Sequence, residues 1–183
     1  MAELVHFVHQ SLDGYIEGPD GEFDWPLMGP ELSEDSRALS ERADAYLYGR
    51  VVWEMMSSFW PHAEDFSDDP HDLAYAPLWR AKPKVVVSRT LDKADWDARV
   101  VDGVEKVADL KAAGEDLVLF GGSSLAADLT RHHLIDEYRV FVHPVVLGGG
   151  KPTFPDSVGR LGLTLVESRV FDSQVVLLRY RRA

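Results

Sequence analysis

The chain has 183 residues, 45% of them hydrophobic and 27% charged, a formal net charge of −12 and no cysteine. That length and composition fit a single folded domain spanning residues 1–183. The acidic balance excludes the basic footprint of non-specific nucleic-acid binding, the missing cysteines exclude disulfides and thiolate metal sites, and every apolar run is shorter than the roughly 20 residues that span a bilayer.

In chain order, "ELVHFVH" (Glu3–His9) predicts a strand, followed by "SLDGYIEGPDGEFDW", a long loop carrying Gly14, Gly18, Pro19 and Gly21. No basic-then-apolar segment at the N-terminus resembles a signal peptide, so a cytoplasmic location is expected. "PELSEDSRALSERA" predicts a helix with Ser33 as N-cap and acidic residues where the dipole favours them. "DAYLYG" (Asp44–Gly49) is a short buried strand, and a helix opens after it on Arg50. Residues 60–77 are acidic and proline-containing, which predicts a surface loop with a helical turn near Leu73–Trp79. "KPKVVVS" (Lys82–Ser88) and "ARVV" are strands. "GVEKVADLKAAG" is a helix with Val104, Val107 and Leu110 on one stripe and Gly114 as its stop. A strand over 117–120 leads into a helix over 123–133. "EYRVFVHPVVLGGG" is a strand in which Pro144 marks a bulge or an edge. "LTLVESRVFDSQVVLLRYRR" is a hairpin turning at "FDS". The pattern predicts a three-layer α/β fold: a mixed, mostly parallel sheet, helices on both faces, and a C-terminal antiparallel hairpin.

Three strand–helix joins carry the chemistry. In "LVLFGGSSLAADL", Gly121 and Gly122 end a strand just before a helix, where backbone N–H groups and the dipole favour an anion and Ser123 and Ser124 add hydroxyls. A plain turn with a serine cap reads equally well from those residues alone, and neither G-x-G-x-x-G nor G-x-x-x-x-G-K-[ST] is present. In "YLYGRVVWE", Arg50 stands in a first helical turn against the dipole, a cost that a bound phosphate would offset. "VVVSRT" sets Ser88, Arg89 and Thr90 at a third strand end.

Together with "SLDGYIEGPDGEFDW" and "DEYRVFVHPVVLGGGKPTF", these motifs resemble the dihydrofolate-reductase-like family. They are most similar to the reductase domain of the bacterial bifunctional riboflavin-biosynthesis deaminase/reductase, over nearly the whole chain. The resemblance implies an NADPH-dependent reductase of a small heterocyclic substrate, of the 5-amino-6-(5-phosphoribosylamino)uracil type. It implies Gly49 and Arg50 at the cofactor phosphates, and Ser88, Arg89 and Thr90 around the adenosine ribose and its 2′-phosphate. Gly121, Gly122, Ser123, Ser124 and Leu125 would cradle the pyrophosphate. Val8, Asp13 and Ile16 would border the nicotinamide under a mobile 13–21 lid. It also implies a homodimer, with strand 137–146 as an edge able to pair across it.

The chain departs from the family in two places. None of Glu31, Glu34 and Asp35 falls in the register of the helix carboxylate that orients a pterin, so Asp13, Glu34, Asp35 and water are the candidate proton sources, with Asp13 and Asp35 as the catalytic pair. His62-Ala63-Glu64 has no cysteines to complete a zinc deaminase signature. The acidic stretch from His62 to Asp72 reads as a solvated loop before it reads as a cation site, and no metal is expected. His132 and His133 point apart on a helix. His143 is either a strand histidine or a pocket residue, Lys151 a loop lysine or a phosphate partner, and Trp53 and Trp60 read as core or interface before a substrate platform. Dihydrofolate reduction, and a non-catalytic nucleotide-binding protein on the same scaffold, are the alternative functions; a metal-dependent hydrolase is a third.

Overall fold

In the computed structural model, which describes residues 2–172 and 174–183, the apolar runs form the strands and the 3.6-periodic stretches form the helices that cover them. The elements are β1 (Leu4–Gln10), β2 (Tyr15–Glu17), α1 (Pro30–Arg42), β3 (Ala45–Gly49), α2 (Arg50–Phe59), α3 (Ala63–Phe66), α4 (Pro70–Ala81), β4 (Lys84–Val87), β5 (Arg99–Val101) and α5 (Val104–Ala112). They continue as β6 (Leu117–Phe120), α6 (Ser123–Arg131), β7 (Glu137–Val142), β8 (Lys151–Pro152), β9 (Leu163–Phe171) and β10 (Val175–Arg182). The main sheet has eight strands in the order β5-β4-β3-β6-β1-β7-β10-β9. Pairing is parallel from β5 to β7 and antiparallel through β10 and β9.

Side-chain alternation along each strand divides the core into two layers. Val5, Phe7, Tyr46, Tyr48 and Phe120 pack against α1, α2 and α4 through Leu32, Trp53 and Trp79. Leu4, Val8, Leu47 and Leu119 pack against α5 and α6 through Val107 and Leu129. The expected three-layer, mixed and mostly parallel sheet with a terminal hairpin is therefore what the chain forms.

Three local expectations are corrected. Residues 60–77 are not mainly loop, because α4 runs from Pro70 to Ala81. The Asp69 side chain accepts from the His71 N–H at 2.8 Å and caps the helix, Pro70 occupies a first-turn position that needs no donor, and His71, Tyr75 and Trp79 form a buried stripe. Pro77 sits inside the helix, where it removes one backbone hydrogen bond. Ser33 is not the cap of α1, which starts at Pro30 after Gly29. The Asp172 carboxylate takes the N–H groups of Glu31 and Leu32 at 3.0 and 3.2 Å, and Glu31 accepts the Asp172 N–H in return at 2.7 Å. Strand 137–146 is not an edge. β7 ends at Val142, before Pro144, and lies between β1 and β10, so it cannot pair across a dimer. The free edges of the sheet belong to β5 and β9. Of the turn expected at Phe171–Ser173, Ser173 lies outside the described residues.

An ion cluster ties α1, β7 and β10 together. Glu137, 2% exposed, holds Arg139 Nε at 2.8 Å, Arg179 Nε at 3.1 Å and Arg181 Nη2 at 3.2 Å. Arg139 Nη1 in turn reaches Asp35 at 3.4 Å. Burial alone would raise the Glu137 pKa, but the Arg139 hydrogen bond and the surrounding guanidinium charges outweigh it and hold the carboxyl below its ordinary value. The stability this contributes is complete above the unfolded carboxyl's pKa and is lost as the pH falls through the depressed folded value. Glu137→Ala, which strands buried Arg139, is expected to cost about 3–5 kcal/mol at neutral pH. In urea denaturation the gap to the parent protein should close below about pH 4; a gap unchanged at acid pH contradicts the ionic role.

Candidate active site

Because β3, β4, β5 and β6 are parallel, their carboxyl ends line one side of the sheet, the side on which open α/β sheets bind ligands. Three helices start there. The N-cap positions of α2, α5 and α6 are Gly49, Gly103 and Gly122, and none of the three has a side-chain cap. Their first N–H groups are thus left without an intrahelical or capping partner. All three glycines line one cleft of about 650 Å³. Gly121 and Gly122 have φ of +54° and +69°, in the left-handed region, and a Cβ on Gly122 would stand 3.3 Å from Val52 Cγ2.

Four cations, Arg50, Arg89, Arg131 and Lys151, and three carboxylates, Asp102, Glu105 and Asp128, border this cleft. Arg50 is tied to Glu54 at 2.9 Å, Arg131 to Asp128 at 3.0 Å, and Lys151 stands 3.6 Å from Glu17. Arg89 is exposed and makes no ion pair with any described residue. Its loop is shaped by Ser88 Oγ, which accepts the N–H groups of Thr90 and Leu91 at 3.2 and 3.1 Å. Uncompensated helix dipoles and an unpaired guanidinium are what a polyanionic ligand requires.

A second cleft of about 560 Å³ adjoins the first, sharing Val52 and Gly122 with it. Its walls are largely aromatic and thioether: Phe7, Tyr48, Trp60, Phe120, Met55 and Met56. The loop carrying Phe23, Pro26 and Met28 borders it. Two histidine systems reach it. His71, on the wall, is paired through Nδ1 with Ser33 Oγ at 2.8 Å. His9, also on the wall, meets His143 Nε2 through its Nδ1 at 2.8 Å. The Leu27 N–H donates to His143 Nδ1 at 3.1 Å. That bond makes His143 Nδ1 an acceptor, puts its proton on Nε2, makes His9 Nδ1 the next acceptor, and leaves His9 with its proton on Nε2. Burial holds both rings neutral: His143 is pushed down to about 4, and His9 falls well below its ordinary value through burial and the neighbouring His143 and His71.

The structure brings most of the sequence-derived cofactor residues together. Gly49, Arg50, Ser88, Arg89, Thr90, Gly122, Ser124 and Leu125 line the first cleft; Val8, Ile16, Gly121 and Gly122 line the second. Ser123 is 4% exposed and belongs to neither wall, so its hydroxyl is not presented as expected. The catalytic carboxylates are placed elsewhere. Asp35 lies outside both walls and faces Arg139. Asp13 accepts from Ser11 Oγ at 2.7 Å and from the N–H groups of Leu147 and Gly148 at 3.1 and 2.8 Å. Those bonds, Ser11 first, hold its carboxyl below the usual range, so it is an ionised latch between two loops and a poor proton donor. Glu34 pairs with Arg37 at 2.6 Å. His143 stands behind His9, Lys151 borders the first cleft, Trp53 is core, and Trp60 is pocket wall. Gly103 and His9 escaped the sequence reading. "VVDG" repeats the strand-then-glycine signal of "YLYG", but β5 has only three residues, and nothing local to His9 points to His143.

Residues 2–177 match the model of the RibD C-terminal domain. The uncharacterized protein YyaP of Bacillus subtilis is 37% identical over 176 residues, covering 93% of this chain and 89% of that protein. A solved putative riboflavin biosynthesis protein from Shewanella sp. PV-4 superposes with a TM-score of 0.78 at 28% identity, covering 100% of this chain and 99% of that one. Enterococcus faecalis dihydrofolate reductase, solved with NADP(H), has a TM-score of 0.65 at 16% identity, covering 98% and 96% of the two chains, and shares the fold. With a match that runs almost end to end and a glycine-lined cleft at the carboxyl ends of its parallel strands, the chain belongs to the RibD C-terminal domain family, within the dihydrofolate-reductase-like fold.

Proposed function

We propose that the protein is an NADPH-dependent oxidoreductase that reduces a small heterocyclic substrate held in the second cleft. One observation carries the reading: three helix N-termini without a side-chain cap and Arg89, unpaired among the described residues, converge on a cleft that meets an apolar pocket at Val52 and Gly122. The residues present fit the cofactor. The backbone N–H groups at the start of α6, with Ser124, would hold the pyrophosphate, and Arg89 and Thr90 the 2′-phosphate. NADPH, when bound, supplies a hydride. Val8 and Ile16, both buried on the second cleft's wall, would keep water from the reacting face. Loop 11–17 is kept in place over that wall by the Asp13 latch and by the β2–β8 pairing.

Calorimetric titration is expected to show NADPH binding more tightly than NADH. Arg89→Ala should weaken NADPH by about 1–3 kcal/mol and leave NADH unchanged; equal affinities in the parent protein contradict the role of Arg89. Gly122→Ala forces a side chain into a left-handed conformation against Val52. It should destabilise the free protein by about 1–2 kcal/mol and weaken NADPH binding, and an alanine variant of unchanged melting temperature and affinity speaks against the cradle.

A further inference from the structure

We propose that the second cleft selects an unphosphorylated, uncharged planar heterocycle, with a carbonyl or ring-nitrogen acceptor that takes the Nε2–H of His9. This rests on the reductase reading and narrows its substrate.

The two clefts differ in their cations. The first is bordered by four, beside the carboxylates Asp102, Glu105 and Asp128. Among the described residues the wall of the second carries no lysine or arginine, and it carries three carboxylates, Glu17, Asp24 and Asp72. Glu17 is offset by Lys151 at 3.6 Å, but a phosphate dianion placed there would leave water with no lysine or arginine on the wall to pair with and would face Asp24 and Asp72, both strongly unfavourable.

Helix dipoles do not replace the missing cations. The N-terminus of α4, whose first turn supplies His71 and Asp72 to this wall, is already capped by Asp69. That of α1, the helix that contributes Ser36, is occupied by the Asp172 carboxylate. Gly122, which opens α6, is shared with the first cleft and would be taken by the cofactor.

What the wall offers a substrate is neutral. The Leu27–His143–His9 chain fixes the His9 proton on Nε2, and that nitrogen has no partner among the described residues. Neither histidine of the pair serves as a cation, since the two rings pack against each other, His9 also against Phe7 and Phe141 and His143 against Trp25. The remaining surface, Phe7, Tyr48, Trp60 and Phe120 with Met55 and Met56, suits the face of a flat ring.

The test uses a matched pair, 5-amino-6-ribosylaminouracil and its 5′-phosphate, titrated by calorimetry into the full chain saturated with NADP⁺. The expected result is that the unphosphorylated compound binds about tenfold more tightly or better, and that His9→Leu weakens it by about tenfold while NADP⁺ affinity is kept. Asp24→Lys, which sets a cation on the same wall, should shrink the difference between the two compounds. A phosphate that binds the parent protein as tightly as its partner overturns the proposal, as does failure of both compounds to bind a protein that holds NADP⁺. Failure to bind NADP⁺ itself would instead sink the reductase reading, and the two failures are read from separate titrations.

Discussion

The parallel alignment of β3, β4, β5 and β6 is the constraint on which the rest depends. It brings four strand ends to one side of the sheet and starts three helices there, each at a glycine with no side-chain cap. A serine or aspartate cap at any of these positions would satisfy the first-turn N–H groups internally and blunt the field that an anion meets. The chain does cap other helices this way, using Asp69 on α4 and Asp172 on α1. The bare glycines therefore leave first-turn donors open on the first cleft, and the capped helices do not.

That contrast sets the character of the two clefts. The first combines free helix ends with four cations, three of them ion-paired, and with the carboxylates Asp102, Glu105 and Asp128 in a protein of net charge −12, so the helix ends and Arg89 are the positive groups it leaves open to a ligand. The second shares the glycine turn but is aromatic, thioether-rich and bordered by carboxylates. In the proposed reading, cofactor recognition would rest on electrostatics on one side of Gly122, and substrate recognition on ring packing with neutral hydrogen bonds on the other. The ion cluster around Glu137 keeps α1 fixed to the sheet behind the second cleft.

The first cleft was legible in the sequence because its signals are local: a glycine after an apolar run, an arginine in the first turn and a serine–arginine pair at a strand end all line it, although Arg50 is paired with Glu54 one turn on. Carboxylate roles are not local. Asp35 is claimed by Arg139, 104 residues away, and Asp13 by backbone groups of Leu147 and Gly148, so neither could be assigned from its own neighbourhood. His9 and His143 are 134 residues apart and meet only because β1 and β7 run side by side. The α4 helix was hidden because Pro70 and Pro77 read as breakers, although one of them occupies a first-turn position that tolerates proline. Ser123 has the right neighbours, but the turn of α6 directs it into the core.

The most direct test of the two-cleft account is a crystal structure of the protein with NADP⁺. The account predicts the pyrophosphate against the N–H groups that open α6, the 2′-phosphate beside Arg89, and the nicotinamide next to Val8 and Ile16, with the His9 side of the second cleft left open for substrate. A dinucleotide bound in the second cleft, or a 2′-phosphate pointing away from Arg89 into solvent, would contradict it.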